Sequence, residues 1–569
     1  MKLTKRYWVF VVLLAITFVL KFHIFVSDDA KIGSFRGGSL EVSVWNPLVA
    51  EEVNAQVISV VIDNKTYSSE NYTFYMDENR NIMVPVSILR DTLDCSAHIY
   101  DGERLLVEKH NLSALFTLNE LEATGNDGKV DIASAFIEID GAYYVSLNDL
   151  SNMLGYQCSF DINTNTLLAA DLSENANALP TRYDLREKFR VSSIRSQGKY
   201  GTCWAFAALS AIESSLLPEE QYLFSVDHMS MSNSFNVTQF DGGSYTMGMA
   251  YLAAWQGPVY ESEDPYGDGQ TDSALEAKMH VQEMRIIPSK DLAAIKEAVF
   301  KYGGVQTSLY SSISNANGSS VYYNRETYAY CYIGTEKPNH DVVIIGWDDN
   351  YSKDNFTSPL EGDGAFICQN SWGDGFGEDG VFYVSYYDTN IGTHNVVYTR
   401  IEDTDNYDNI YQSDLCGWVG KIGYEKEEIY GANVYKAKGN EIITAAGFYA
   451  TAPDTKYRVY VVKNFENENS FANRVQVAEG TLADAGYYTI DFMEEISVKA
   501  GEKYAVVVYL NTPGATHPLA IEYNNGDKYL ENINLEDGEG YISYSGGKFT
   551  NIKDKQECNL CIKAYTNNQ

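Results

Sequence analysis

Three stretches of the sequence hold residue types that could do nucleophilic chemistry. The first is Gln197-Gly198-Lys199-Tyr200-Gly201-Thr202-Cys203-Trp204-Ala205-Phe206. Behind it Ala205, Ala208, Leu209, Ile212 and Leu216 recur at helical spacing, and Pro218 stops the run. Gly201 and Thr202 are turn and cap residues, so Cys203 falls at a helix N-terminus. There the macrodipole favours an anion, and a thiolate is the reactive form of cysteine. A lone cysteine is more often a small buried side chain, but two further stretches weigh against that. Asn339-His340-Asp341 opens the apolar run Val342-Val343-Ile344-Ile345-Gly346-Trp347, and Ala365-Phe366-Ile367-Cys368-Gln369 ends at Asn370-Ser371-Trp372-Gly373. Both runs read as β-strands, with His340 entering one and Asn370 leaving the other.

In the order Cys203, His340, Asn370, these stretches resemble the papain family of cysteine peptidases. In that family the histidine and asparagine follow the cysteine by roughly 130–150 residues, and His340 falls within that range. Leu179-Pro180 through Asp184-Leu185-Arg186 resembles the family's mature N-terminus, and Asp241-Gly242-Gly243 its glycine strip. The resemblance implies a cleft between two halves. One half, from Cys203 to about Ala254, reads as mostly helical, and the other, from Tyr302 to Tyr387, as mostly antiparallel β. It further implies Cys203 as nucleophile, His340 as its proton carrier, Asn370 as the group that orients the imidazole, and Gln197 as an oxyanion-hole donor. The thiolate and the imidazolium would form an ion pair before substrate arrives. Gly242 and Gly243 would hold substrate backbone, Trp372 would shield the His–Asn contact at the edge of the substrate site, and Asp341 would line the P2 pocket. There its carboxylate either attracts Lys or Arg or turns into a local hydrogen bond. No cofactor and no metal is implied. The chain departs from the pattern where a disulfide is usual: Tyr200 and Phe240 stand at the two half-cystine positions, and two aromatic side chains could pack in its place. A polar insert around 350–364 reads as a surface loop.

The elements around this region read as further modules of a multidomain α+β chain. In 33–172, Met83-Val84-Pro85-Val86-Ser87-Ile88-Leu89 recurs as Tyr144-Val145-Ser146-Leu147-Asn148-Asp149-Leu150, each copy a strand, a short helix and more strands. These two repeats resemble copper amine oxidase N-terminal-like domains, without a histidine cluster for metal, and are expected to act as a stalk. Residues 171–178 read as a linker to the peptidase-like segment, 178–400. From 406 to 567, short β-runs alternate with Gly and Asn turns, which suggests a β-sandwich. Gly417-Trp418, Ala432-Asn433-Val434-Tyr435 and Cys561-Ile562-Lys563-Ala564-Tyr565 resemble the lectin-like domain of some bacterial exported peptidases, and its name implies a glycan or surface partner. Cys558 and Cys561 form a C-x-x-C with no second pair to complete a zinc site.

At the start, Lys2, Lys5 and Arg6 precede the apolar run 7–20, and Lys21 precedes 22–26. A positive flank before an apolar core is an export signal. Residues 1–28 read as an uncleaved signal anchor, or else as a cleaved signal peptide. Either way the remainder is extracytoplasmic, held at the cell membrane in the first case and secreted in the second. The net charge of −36 argues against nucleic acid as a partner, because phosphate binding needs basic surface. The function read from the sequence is an exported cysteine endopeptidase acting on proteins or peptides. The alternatives are a non-catalytic surface adhesin on a peptidase scaffold, or a cell-wall peptide amidase or acyltransferase.

Overall fold

The strand His340–Asp348 and the helix Cys203–Leu216 are the two elements that fix the centre of the molecule. They are seen in a computed structural model that describes residues 59–62, 65–67, 74–76, 81–92, 95–126, 128–139, 141–161, 166–171, 179–313, 315–536, 538–553 and 556–569. Residues 1–28 and the linker 172–178 lie outside the described residues. No described helix is long and apolar enough to cross a membrane.

The helix is apolar on nearly every side because it is buried on nearly every side: each residue from Trp204 to Ser214 is buried. Trp204, Phe206, Leu209 and Ile212 are all within 2 % of full burial. Each such side chain contributes about 1.5–3 kcal/mol. Two shorter helices, Val226–Met231 and Tyr245–Ala253, complete the helical half. In the other half, His340–Asp348 pairs antiparallel with Val305–Leu309 on one side and with Ala365–Gln369 on the other. Ala365–Gln369 pairs in turn with Val381–Ser385. His340 begins its strand and Asn370 directly follows an antiparallel neighbour, so the topology alone brings both to one end of the sheet.

The N-terminal repeat is visible as two copies of one unit. Ile82–Pro85 leads into the helix Val86–Thr92, and Ala142–Ser146 leads into the helix Leu147–Leu154. The two leading strands pair with each other, Val84 opposite Val145. Ser146 caps its helix by accepting from the Asp149 N–H, and Gly155 closes it in the left-handed conformation. The repeats pack on the peptidase-like region: His98 Nδ1 lies 3.1 Å from Glu219, Lys188 donates to Glu108 at 2.7 Å, and His110 stacks near Phe300. Part-buried polar pairs, of which His98 alone is fully buried, hold this docking, and none of these contacts involves Cys203, His340 or Asn370.

The C-terminal strands fall where the alternation places them, but the module does not close on itself. One sheet, built around Glu428–Lys436, Thr455–Val462 and Lys503–Asn511, belongs to it alone. Its second sheet is continuous with the peptidase sheet. Ala485–Val498 pairs with Met279–Ile287, Tyr488 opposite Glu283, so strands of both modules share one hydrogen-bonded ladder. Tyr449, Tyr487 and Cys561 are buried in the same apolar core as Trp204 and Trp347. Arg400 adds an ion pair to Asp491 at 3.0 Å.

Candidate active site

Cys203 is the first residue of its helix, as the turn before it requires. Thr202 stands at the cap but does not cap with its side chain. Its hydroxyl is instead 2.7 Å from the hydroxyl of Tyr266, which also donates to the Gln197 carbonyl at 2.9 Å. Tyr266 thus ties both ends of the Gln197–Cys203 turn. In the sequence, Pro265 and Gly267 on either side of Tyr266 signal only a loop.

The Gln197 amide is fixed at both ends. Ser371 Oγ donates to Gln197 Oε1 at 2.8 Å, and Gln197 Nε2 donates one hydrogen to the Tyr200 carbonyl at 2.6 Å. Because the oxygen is claimed by a hydroxyl, the amide cannot flip, and its second N–H remains as a donor. Backbone bonds join the two walls here: Gln197 N–H to the Ser371 carbonyl at 2.8 Å, and Gly373 N–H to the Arg195 carbonyl at 3.0 Å.

His340 Nε2 lies 2.8 Å from Asn370 Oδ1. The Ser371 backbone N–H donates to the same oxygen, also at 2.8 Å, which identifies that atom as the acceptor. Nε2 therefore carries the hydrogen, and Nδ1 is the nitrogen left free to exchange a proton in the neutral ring. Trp372 stacks on the imidazole with centroids 4.8 Å apart and itself packs edge-on against Phe376. Asn370 is 3 % exposed, and its Nδ2 has no partner among the described residues.

Burial pushes the Cys203 thiol up to about 12, and the Asp341 carboxylate adds to the push; the N–H groups of Asp341, Trp204 and Cys203 itself act against it. Burial also pulls His340 down to about 4, against the Asn370 bond, which favours its charged form. Each group taken singly is therefore neutral. The helix-start amides favour a thiolate as the sequence suggested, but desolvation is the larger effect. A resting ion pair exists only to the extent that mutual attraction overcomes it.

Asp341 does not offer a free carboxylate to a P2 side chain. Its two oxygens accept from Gln306 Nε2 at 3.0 Å and Ser308 Oγ at 2.7 Å, and it is 8 % exposed. Register explains this: Ser308 stands opposite Asp341 on the neighbouring strand. Gln306 is held in turn by Tyr398 at 2.9 Å. Burial raises Asp341 to about 6, against those two bonds.

Gly242 has φ +82° and a Cβ on Gly243 would clash with the Trp204 indole, so the first position demands glycine for its backbone conformation and the second for packing, before any substrate is considered. Tyr200 and Phe240 do pack together, with ring centroids 5.0 Å apart. Aromatic contact stands where the family uses a disulfide. The seven cysteines whose side chains are described are all free thiols, Cys558 and Cys561 among them.

This architecture defines a papain-like module set between two others in a multidomain α+β chain. Residues 179–401 match the model of the papain family cysteine protease, 410–566 that of the lectin like domain, and 61–169 that of the copper amine oxidase N-terminal domain. Among curated proteins, cathepsin K of Mus musculus is 27 % identical over 207 residues, 36 % of this chain and 58 % of the relative. Cathepsin K of Gallus gallus is 28 % identical over 220 residues, 38 % of this chain and 60 % of the relative. The chain thus spans under two thirds of the length of these relatives. Among solved structures, the clostridial cysteine protease Cwp84 after propeptide cleavage is 28 % identical with a TM-score of 0.61, covering 68 % of this chain and 99 % of that one. The cysteine protease and lectin-like domains of Cwp84, a surface layer associated protein of Clostridium difficile, are 26 % identical with a TM-score of 0.59, covering 68 % and 89 %. The Cwp84 structures match the same succession of a papain-like module and a lectin-like one.

Proposed function

We propose that the chain is an exported cysteine peptidase that hydrolyses peptide bonds in proteins or peptides. The observation that carries this reading is the His340–Asn370 pair, whose acceptor is fixed by Ser371, standing with Cys203 at its helix start. In the proposed reaction His340 Nδ1 takes the proton of the Cys203 thiol as the sulfur attacks the peptide carbonyl carbon. The carbonyl π electrons move onto oxygen. The Cys203 backbone N–H and the remaining Gln197 Nε2 hydrogen stabilise that oxyanion; one such donor is worth about 3 kcal/mol of barrier. His340 then gives its proton to the leaving amine as the C–N bond breaks, and a thioester remains. Water, deprotonated by His340, attacks the thioester; the acid leaves and the proton returns to sulfur. Asn370 keeps the ring in the required tautomer, and Trp372 covers that bond on one face.

The surface-layer association of Cwp84 supports an extracytoplasmic location for this chain, and residues 1–28 supply the export signal and, uncleaved, the membrane anchor. The lectin-like module supports a glycan as a partner at that surface. Peptides and cell-wall muropeptides offered in parallel, with reductant present, test the reaction class. Cleavage of peptides alone is expected; cleavage of muropeptides alone contradicts the proposal.

A further inference from the structure

The turn Lys528–Leu530 of the C-terminal module lies against the loop that carries the glycine strip. Asn236 N–H donates to the Tyr529 carbonyl at 2.9 Å, and Asn236 Nδ2 donates to the Lys528 carbonyl at 3.1 Å and to Glu531 Oε2 at 3.3 Å. Lys528 Nζ reaches Asp241 Oδ1 at 2.8 Å. The other Asp241 oxygen takes the Thr238 N–H at 2.9 Å and the Thr238 hydroxyl at 2.7 Å. On its inner side the segment is held by Gly201 N–H donating to the Gln239 carbonyl at 2.7 Å, and by the Gln239 amide on Asp227 and Ser230. A Cβ on Gly201 would come within 3.0 Å of Gly242 Cα, so the strip presses directly on the turn before Cys203.

The strip is therefore fastened on one side by the nucleophile's own turn and on the other by a different module. We infer that the C-terminal module is a working part of the substrate cleft, with Lys528 a positioning residue that sets the Gly242–Gly243 strip through Asp241. This rests on the peptidase reading, in which the strip binds the backbone of substrate residues on the acyl side of the scissile bond. Lys528 and Asp241 lie at the surface, 57 % and 27 % exposed, so the bond is modest in energy. Its effect comes from where it acts. It restrains a backbone that carries no side chain at two successive positions and so has more conformational freedom to lose on binding.

The test uses the full chain as wild type, Lys528→Glu and Lys528→Arg, with two fluorogenic peptides. One has a single residue before the scissile bond and the other has four. Lys528→Glu is expected to raise KM for the long peptide about fivefold. Its kcat on that peptide, its kcat/KM on the short peptide and the alkylation rate of Cys203 should stay within about twofold of wild type. Lys528→Arg should restore the long-peptide KM. Hydrogen exchange at the amides of Gly201, Asn236 and Asp241 should quicken in Lys528→Glu. An unchanged long-peptide KM, an equal loss on both peptides, or unchanged exchange would each overturn the inference. If the wild type cleaves neither peptide, the peptidase reading fails by itself and the exchange result alone decides whether Lys528 positions the strip.

Discussion

Replacing Asp341 by Asn removes one negative charge beside the nucleophile while keeping one oxygen for Gln306, and the Ser308 hydroxyl can turn to accept from the new amide. The Asp341 carboxylate raises the pKa of the Cys203 thiol, while the Asp341 backbone N–H lowers it. A unit charge about 6 Å away is worth about 3 kcal/mol at an effective dielectric of about 20, and about half of that where water enters the cleft. The thiol pKa should therefore fall by about one unit, because one unit corresponds to about 1.4 kcal/mol. Well below its pKa, the thiolate fraction then rises about tenfold. The effect has a pH window of its own, since Asp341 itself titrates near 6. Below that pH the wild-type carboxyl is neutral and the two proteins should behave alike. Rates of Cys203 alkylation by iodoacetamide, followed from pH 4.5 to 8.5 (roughly the range either side of that titration), measure this directly. The mutant-to-wild-type ratio should be near one at the acid end and climb through the Asp341 titration to about ten. A ratio that is flat with pH, or that falls below one, refutes the electrostatic reasoning.

Asn370→Ala strands the buried Nε2–H of His340, a loss of about 1–3 kcal/mol, so kcat should drop about 5- to 150-fold with little change in KM; a drop below twofold contradicts the orienting role. A double-mutant cycle on Tyr200→Ala and Phe240→Ala, read by urea midpoints, should give a coupling of about 0.5–1.5 kcal/mol, whereas additive losses would show that the rings do not replace a bridge. Burial first, and the Arg190 charge next, hold His98 at about 3, below its unfolded 6.5. The unfolded chain thus binds the extra proton between those values, and stability present above 6.5 is lost as the pH falls toward 3. His98→Gln should show a shallower decline over that window, by up to about 1.4 kcal/mol per pH unit; an identical slope would assign the acid sensitivity elsewhere. A chain ending at Arg400 would expose the edge of Met279–Ile287 and the buried contacts of Tyr449 and Tyr487, so it should aggregate or melt without cooperativity; a sharp reversible melt would show the shared ladder to be dispensable.

Local signals carried much of this protein into view. Helical spacing behind Cys203, the apolar runs at His340 and before Asn370, and the repeat of Met83–Leu89 at Tyr144–Leu150 each state a structure within a dozen residues. The aromatic pair Tyr200 and Phe240 could be read because both halves of one contact departed from the pattern together. What stayed hidden depends on partners far along the chain. Nothing near Asp341 announces that Ser308 and Gln306 will stand opposite it, because that register is set by the pairing of two strands 33 residues apart. Tyr266 is 69 residues from the carbonyl it holds. The ladder between Met279–Ile287 and Ala485–Val498 joins the segments that read as separate modules, 178–400 and 406–567, across the polar residues 402–406 between them. A polar boundary in the sequence says where the chain is exposed, not whether strands on either side will pair across it.

The central claim is that Cys203, His340 and Asn370 make this chain a peptidase. Its most direct measurement is kcat/KM on a fluorogenic peptide library for the full chain and for Cys203→Ala, both with reductant and with matched thermal melts. Peptide hydrolysis by the wild type and none above background by Cys203→Ala, with the melts superimposed, is the expected result. Hydrolysis that survives in Cys203→Ala, or a folded wild type that cleaves no peptide in the library, contradicts the claim.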